Sequence, residues 1–597
     1  MKTKKLYFAA LAAIFLTSSA NAVIGPIKIS LNTEYRTSSP VIGSIATTIK
    51  LDKEAIQNTG AKTFTELLQY IPSISYEGGQ GSLNAVRLRG NEAAHTLLLL
   101  DGMKVTITAT QPNLDVIPVD QIERIEISKG PFSSLYGPGA IGGVIHVFTD
   151  KDANSISSNK IDISYGSKGT SKVNLNSYFK NEKSYLDIAL TDFHTDGIDA
   201  LGLAVNNGEK DSIDRKTIGL NFGSQVYDKT SISLNILNTK AVIEYDDPSE
   251  GGLYASPVKP DNNLKQIGVG VSQQVNEKFK INLDVMNQRT QRRGDKYRLN
   301  TMSIINEFDF DNSKLSFGLF NSTDKDIKNT KQIKHTDIFS QWQGLIIDNE
   351  LSIGARIVDH DKFSTHTTYN FNWARDLSST LRVNGSYGTA SNLPNHYQNN
   401  QNIVAGQTAL KPEKSTNLEI GLSGDYDWGN AELKIYKSKL KDAFKYFGAS
   451  PAYYKNDGIV NIRGAELSIG TDFLGWDIDT SIDFNKAIAA STGLQKGRRP
   501  NRSISLNLSN TSGKWKRNIN WIAKSRAWDN DSNVIGYGQN SSELGGYGLL
   551  NLSTSYDFTE DLSIYLNRNN ALDKDYEMAK GYKTLGKTTT LGITYNF

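Results

Sequence analysis

Along most of this chain, apolar and polar residues alternate one by one. Ile218, Leu220 and Phe222 are spaced by small or polar residues, as are Ile232, Leu234 and Ile236. The pattern recurs at Ile281/Leu283/Val285, Leu315/Phe317/Leu319, Leu381/Val383, Leu418/Ile420/Leu422 and Ile504/Leu506/Leu508. It runs to the last residue through Leu591, Ile593, Tyr595 and Phe597. A period of two predicts strands with one apolar and one polar face. From about residue 151 onward the chain therefore reads as strand after strand. Some connectors are tight and polar, at 227–231, 275–279, 310–314 and 558–562. Others are long and rich in Asn, Gly, Asp and Pro, at 240–263, 388–413, 443–460 and 527–547. Short turns on one side and long loops on the other are the asymmetry of a closed membrane barrel.

Residues 23–150 have another texture. Segments 51–60 and 62–72 carry apolar residues at helical spacing, predicting two short helices. Ala55 and Ile56 would face the core from the first; Phe64, Leu67, Leu68 and Ile71 would do so from the second, which Pro72 ends. Short strands are predicted in "AVRLRG", "TLLLLDG", "QIERIEISKG" and "GVIHVF", punctuated by Gly or Asp-Gly.

The first 22 residues join a positive start (Lys2, Lys4, Lys5), an apolar run from Leu6 to Leu16 and the small-residue cleavage pattern Ala20-Asn21-Ala22. This is a secretory signal, too short for a membrane anchor. No later stretch is apolar enough to span as a helix, so the exported chain is either soluble or a barrel. A secreted solenoid is disfavoured because no fixed repeat is present. A barrel needs only every second residue to face lipid, and so tolerates a polar composition. About 450 residues remain for it; at about 20 per strand with its connector, about 22 strands fit. A barrel that wide has an open lumen, and the roughly 130 residues before it suit a plug. The sequence thus predicts a 22-stranded antiparallel transmembrane β-barrel with an N-terminal α+β plug domain in its lumen. Its divisions are 1–22 signal, 23–36 N-terminal segment, 37–150 plug and 151–597 barrel. A net charge of +3 in 597 residues gives no reason to invoke nucleic acid. Zero cysteines exclude a disulfide scaffold and thiolate metal sites.

"VRLRGNEAAHTLLLLDGMKV" and "IPVDQIERIEISKGPFSSLYGPGAIGGVIHVFTDK" resemble the plug of TonB-dependent outer-membrane transporters. The matching marks are Arg89-Gly90, Asp101-Gly102, Ile122 to Glu126, Gly130-Pro131 and Tyr136 to Ile145. Segment 392–422 with Leu410-Lys411-Pro412-Glu413, segment 567–577 and the terminal aromatic resemble the family's barrel. The resemblance spans the mature chain and is nearest the cobalamin-receptor branch. It implies a monomer among outer-membrane lipid that imports a corrinoid without making or breaking its bonds. TonB, energised by ExbB and ExbD, would drive it, and a periplasmic binding protein would receive the product.

The same resemblance implies the sites. Segment 77–90 is similar to a plug loop that presents Gly-rich backbone to the corrinoid, through Gly79, Gln80, Gly81, Ser82 and Leu83. Segment 104–126 is similar to the second substrate loop, with Thr108, Ala109 and Thr110. Asp199, Glu209, Asp211, Tyr245, Asp246 and Asp261 match the branch's calcium-binding positions in the loops between early strands; Glu209 replaces an Asp there, and the Asp199–Glu209 loop is shorter. Calcium takes six to eight oxygens, mostly carboxylate, and tolerates Glu for Asp. Ile27, Lys28, Ile29, Ser30 and Leu31 stand where the TonB box would be, the segment that adds a strand to TonB.

Other readings stay open. A siderophore or haem receptor of the same family would need a different ligand cage; among seven histidines, His396 in "LPNHY" is a candidate axial ligand or an exposed loop residue. A porin or adhesin would not need the plug. No G-x-S-x-G, H-E-x-x-H or Walker sequence supports an enzyme. Gly137 to Gly142 spells G-x-G-x-x-G, but a dinucleotide site needs a strand before the glycines and a helix after them. Here a strand follows, and the glycines serve close backbone approach instead.

Overall fold

A computed structural model describes residues 33, 40–78, 84–105, 107–108, 111–112, 114–149, 155–200, 210–247, 256–258, 261–292, 294–363, 365–447, 451–529 and 542–597. Residues 1–22, expected to be a signal, and Ile27 to Leu31 lie outside the described residues.

The plug begins with β1 (Thr47–Asp52), α1 (Lys53–Asn58) and α2 (Phe64–Gln69). Asp52 caps α1 by accepting from the Ala55 N–H at 2.8 Å, and Thr63 caps α2 by accepting from Glu66 at 3.2 Å. The second helix stops before Ile71, because a residue preceding proline avoids the helical region. Then come β2 (Ile74–Glu77), β3 (Ala85–Leu88), β4 (Thr96–Leu100), β5 (Met103–Lys104), β6 (Ile107–Thr108), β7 (Gln111–Pro112), β8 (Arg124–Lys129), α3 (Ser133–Tyr136) and β9 (Gly143–Phe148). Five of them form one mixed sheet in the order β1-β8-β9-β4-β5, with β4 and β9 parallel. Phe64, Leu67 and Leu68 are buried on it among Ile125, Ile127, Ile145 and Val147. Ile56 is buried as expected, whereas Ala55 is only half-buried.

The barrel follows as β10 (Ser158–Gly166), β11 (Thr170–Lys180), β12 (Ser184–Thr195), β13 (Ile213–Tyr227) and β14 (Thr230–Ile243). A ribbon, β15 (Tyr245–Asp247) and β16 (Ser256–Val258), precedes β17 (Asp261–Asn276), β18 (Phe279–Arg292), β19 (Asp295–Phe310) and β20 (Ser313–Asp326). Next are β21 (Lys331–Ile346), β22 (Asn349–His360), β23 (His366–Asp376), β24 (Leu381–Asn392), α4 (His396–Val404), β25 (Glu413–Tyr426), β26 (Gly429–Phe447) and β27 (Tyr453–Phe473). The chain ends with β28 (Trp476–Ala489), β29 (Arg502–Ser512), β30 (Trp515–Lys524), the ribbon β31 (Ala527–Asp529) and β32 (Ser542–Leu544), β33 (Tyr547–Asp557), β34 (Leu562–Asn569) and β35 (Thr588–Asn596). Outside the two ribbons these are 22 antiparallel strands, closed where β10 pairs with β35.

The alternation read from sequence is the wall's two faces. Ile218, Leu319, Ile420 and Leu591 are exposed on the outside, while Asn221, Gln266, Asn282 and Gln288 are buried toward the lumen. The tight turns at 227–231, 275–279, 310–314 and 558–562 share one rim with both barrel ends, while two further short connectors, β10–β11 and β18–β19, lie on the other. Segment 443–460 departs from the expected loop: β26 and β27 extend into it from either side, clipped by the pairs Tyr446–Tyr454 and Phe447–Tyr453, each 5.1 Å between ring centroids. Segment 388–413 holds α4, capped by Asn395 and Gln398.

Candidate functional site

The polar lumen wall grips the plug through long side chains. Gln266 donates to the Leu100 carbonyl at 3.1 Å, Arg356 to Leu135 at 2.7 Å, Arg499 to Gly90 at 2.7 Å and Lys524 to Ile74 at 2.8 Å. At one position the contact is ionic and buried. Arg89 and Gly90 both turn through left-handed backbone, at φ 51° and 73°. The Arg89 guanidinium reaches Glu466 on β27 with Nε and Nη2, both at 2.9 Å, and Glu419 on β25 with Nη1 at 2.5 Å. It also lies over the Tyr436 ring at 4.2 Å. Lys129 adds a contact to Glu466 at 3.1 Å. At Gly90 a side chain would not fit, because a Cβ would stand 2.5 Å from Asn485 Oδ1. This cluster ties the plug at β3 and β8 to β25 and β27 of the wall.

Beside the plug sheet's free edge the packing is looser. A cavity of about 260 Å³ separates the β4–β5 hairpin from the wall, lined by Gly102, Lys104, His146, Met286, Asp284 and Arg356 among others. Lys104, half-buried, shares this lining with the buried Arg356, and desolvation lowers its ammonium from the ordinary range.

The two plug loops expected to meet substrate rise from hairpins. Gly79 to Leu83 lie outside the described residues, but β2 and β3, which carry them, pair from Ile74↔Leu88 to Glu77↔Ala85. Thr108 lies in β6, paired with Gln111; Ala109 and Thr110 lie outside the described residues. The loops are wired together at their bases. Tyr76 donates to Asn84 Oδ1, Asn84 Nδ2 donates to Asp115 Oδ1 at 2.6 Å, and Arg215 of β13 donates to the Asp115 carbonyl at 3.3 Å. Arg292 of β18 stands 4.0 Å from the Asp115 carboxylate. Burial pushes the Asp115 carboxyl up, against the pull of Arg292, Asn84 and Arg215. Sequence reading missed this network, whose members are 31 and 100 residues apart. A third tie joins the plug to the β28–β29 loop: Arg499 and Lys496 meet Glu92 at 2.8 and 3.0 Å. Partial burial works to raise the Glu92 carboxyl, but Arg499, Lys496 and Arg87 hold it well below the usual range.

The acidic positions gather at the outer ends of β12, β13, β14 and β17. Asp211 is buried two residues before β13 and accepts from the Ala200 N–H at 3.0 Å. Tyr245 is buried in the ribbon above β14. Asp261 is exposed and pairs across from Val242, so it flanks β14 on the side away from Asp211. Asp199 stands just after β12; Glu209 lies outside the described residues, and Asp246 is placed only as ribbon backbone. Among the described residues, no three acidic or histidine side chains converge as a metal site. Glu244, not anticipated, clamps the same rim by accepting from the Ser212 N–H at 3.1 Å. His396 is not exposed: it starts α4, buried, with Nε2 3.7 Å from Asp324.

Comparison with known proteins follows this architecture. Residues 41–144 match the family model "TonB-dependent Receptor Plug Domain", and 146–571 match "TonB dependent receptor-like, beta-barrel". Among curated proteins, the "Vitamin B12 transporter BtuB" of Photobacterium profundum is 25% identical over 597 residues, covering 95% of each chain. The protein of the same name from Vibrio cholerae is 24% identical over 92% of each. Among solved structures, the siderophore receptor PirA of Acinetobacter baumannii superposes with TM-score 0.78 at 16% identity, covering 92% of this chain and 98% of PirA. The copper transporter OprC superposes at 0.75 and 16%, covering 92% and 100%. These two likenesses concern the fold.

Proposed function

The chain belongs to the TonB-dependent receptors, outer-membrane transporters and not enzymes, and from that premise we propose that its cargo is a cobalamin. The observation that carries the reading is end-to-end likeness to proteins named as vitamin B12 transporters, at matched length. The hairpins β2–β3 and β6–β7, which carry the two expected substrate loops, support it, as does the Asn84–Asp115 bond at the foot of the first. Residues 79–83 and 108–110 would contact the corrinoid through backbone and small side chains.

Calcium would be held at the outer rim by Asp199, Glu209, Asp211, Tyr245, Asp246 and Asp261. Their hard oxygens suit it; the described members alone do not close a site, so loop residues must complete it. The ion would preorganise the loops and lower the ordering cost of binding. After removal of residues 1–22, Ile27 to Leu31 would add a strand to TonB, energised through ExbB and ExbD. A periplasmic binding protein would collect the cargo from a monomeric receptor.

The test is uptake of radiolabelled cyanocobalamin by cells whose own cobalamin receptor is deleted. Expression of this chain should restore it. Failure to restore it, with uptake of a ferric siderophore instead, would replace the cargo and leave the family intact.

A further inference from the structure

Like charges directly opposite each other destabilise an antiparallel pair, yet one row of the outer wall sets cation against cation across four strands. Lys265 on β17 faces Arg289 on β18, Arg289 faces Arg298 on β19, and Arg298 faces Lys325 on β20. At about 4.8 Å between strands, the row spans about 15 Å. Its side chains share the parity of the exposed Val269, Val285 and Met302, so they point away from the lumen. None of the four makes an ion pair among the described residues, and Arg298 Nε is buried without a hydrogen-bond partner.

Height along the wall is informative. Phe279 and Phe308 stack at 4.5 Å near the short-turn rim. Arg289 and Arg298 stand ten residues further along their strands. At about 3.4 Å per residue and a tilt of about 40°, that is about 26 Å, the height of a barrel's apolar band. The row therefore sits where headgroups of the outer leaflet begin. The arrangement repeats on another arc: Lys437 on β26 faces Arg463 on β27, which faces Lys486 on β28. Arg463 and Lys486 also stand ten residues above an aromatic pair, Phe473 and Trp476, and Ile435 and Phe484 are exposed directly beneath the row.

We propose that these two rows bind phosphate groups on the head of an outer-leaflet glycolipid, whose acyl chains lie along the apolar face below. Adjacent cations persist at low cost when an anion bridges them, and the arginine fork matches phosphate. A free anion would need only the cations. Cations placed directly above a lipid-facing apolar row fit an amphiphile.

The full-length receptor in detergent is incubated with bisphosphorylated lipid A, with the same lipid stripped of phosphate, or with phosphatidylglycerol, and bound lipid is counted by native mass spectrometry. Wild type should retain the phosphorylated lipid at least about tenfold better than the stripped one. Combined Lys265→Gln, Arg289→Gln, Arg298→Gln and Lys325→Gln should remove one share of bound lipid, and Lys437→Gln, Arg463→Gln and Lys486→Gln the other. Equal retention of stripped lipid by wild type overturns the proposal without recourse to any variant. So does equal retention of phosphatidylglycerol, displacement by equimolar inorganic phosphate, or folded variants that keep their lipid.

Discussion

Arg89 anchors the plug to the wall by satisfying two buried carboxylates at once. Removing one partner of a buried ion pair leaves an uncompensated charge and costs about 3–5 kcal/mol. Arg89→Ala should therefore loosen the plug by about that amount, with Lys129 alone left on Glu466. Hydrogen exchange of the β8 and β9 amides reads this directly; unchanged protection would mean the cluster does not hold the plug. At this scale the sequence was half legible. Arg89-Gly90 stood out as a motif, but Glu466 is 377 residues away, and no local pattern marks it among the other acids. His396 shows the reverse limit: a histidine in a polar stretch reads as exposed, yet a capping box starts a helix there and folds its ring inward.

The strands of the wall were legible because alternation is a property of each strand alone. Loop content was less so. The chain at 443–460 has the composition of a loop, yet β26 runs to Phe447 and β27 starts at Tyr453, since cross-strand aromatic pairs are invisible until register is known. The acidic rim is likewise assembled by register: Asp211 comes from the β12–β13 connector, Tyr245 from the β14–β17 connector and Asp261 from the first residue of β17, all at one end of β12–β17. Asp211→Asn preserves shape and removes charge. With the proposed calcium site, calcium should raise the wild type's melting temperature and Asp211→Asn should reduce that rise, with little change when calcium is chelated; a rise equal to the wild type's would remove Asp211 from the proposed site. The N-terminal segment can be tested in the same spirit. Strand addition uses backbone N–H groups, which proline lacks. Ile29→Pro should abolish uptake and leave cargo binding intact, whereas surviving uptake would place the TonB contact elsewhere.

At the scale of the molecule, the plug is held unevenly. One side carries a buried ionic cluster, and the other faces a cavity of about 260 Å³ beside the short edge strand β5. Architecture and family follow from pattern and motif together: period-two strands, a wide lumen, and a domain of the right size to fill it. Cargo does not follow so readily, because one fold serves several ligands: a siderophore receptor and a copper transporter superpose on this chain with TM-scores of 0.78 and 0.75. The most direct measurement is a calorimetric titration of the purified full-length receptor with cyanocobalamin, with calcium and with chelator. The account predicts nanomolar binding that calcium strengthens; absence of cyanocobalamin binding in both conditions, by a receptor that binds a ferric chelate, would contradict it.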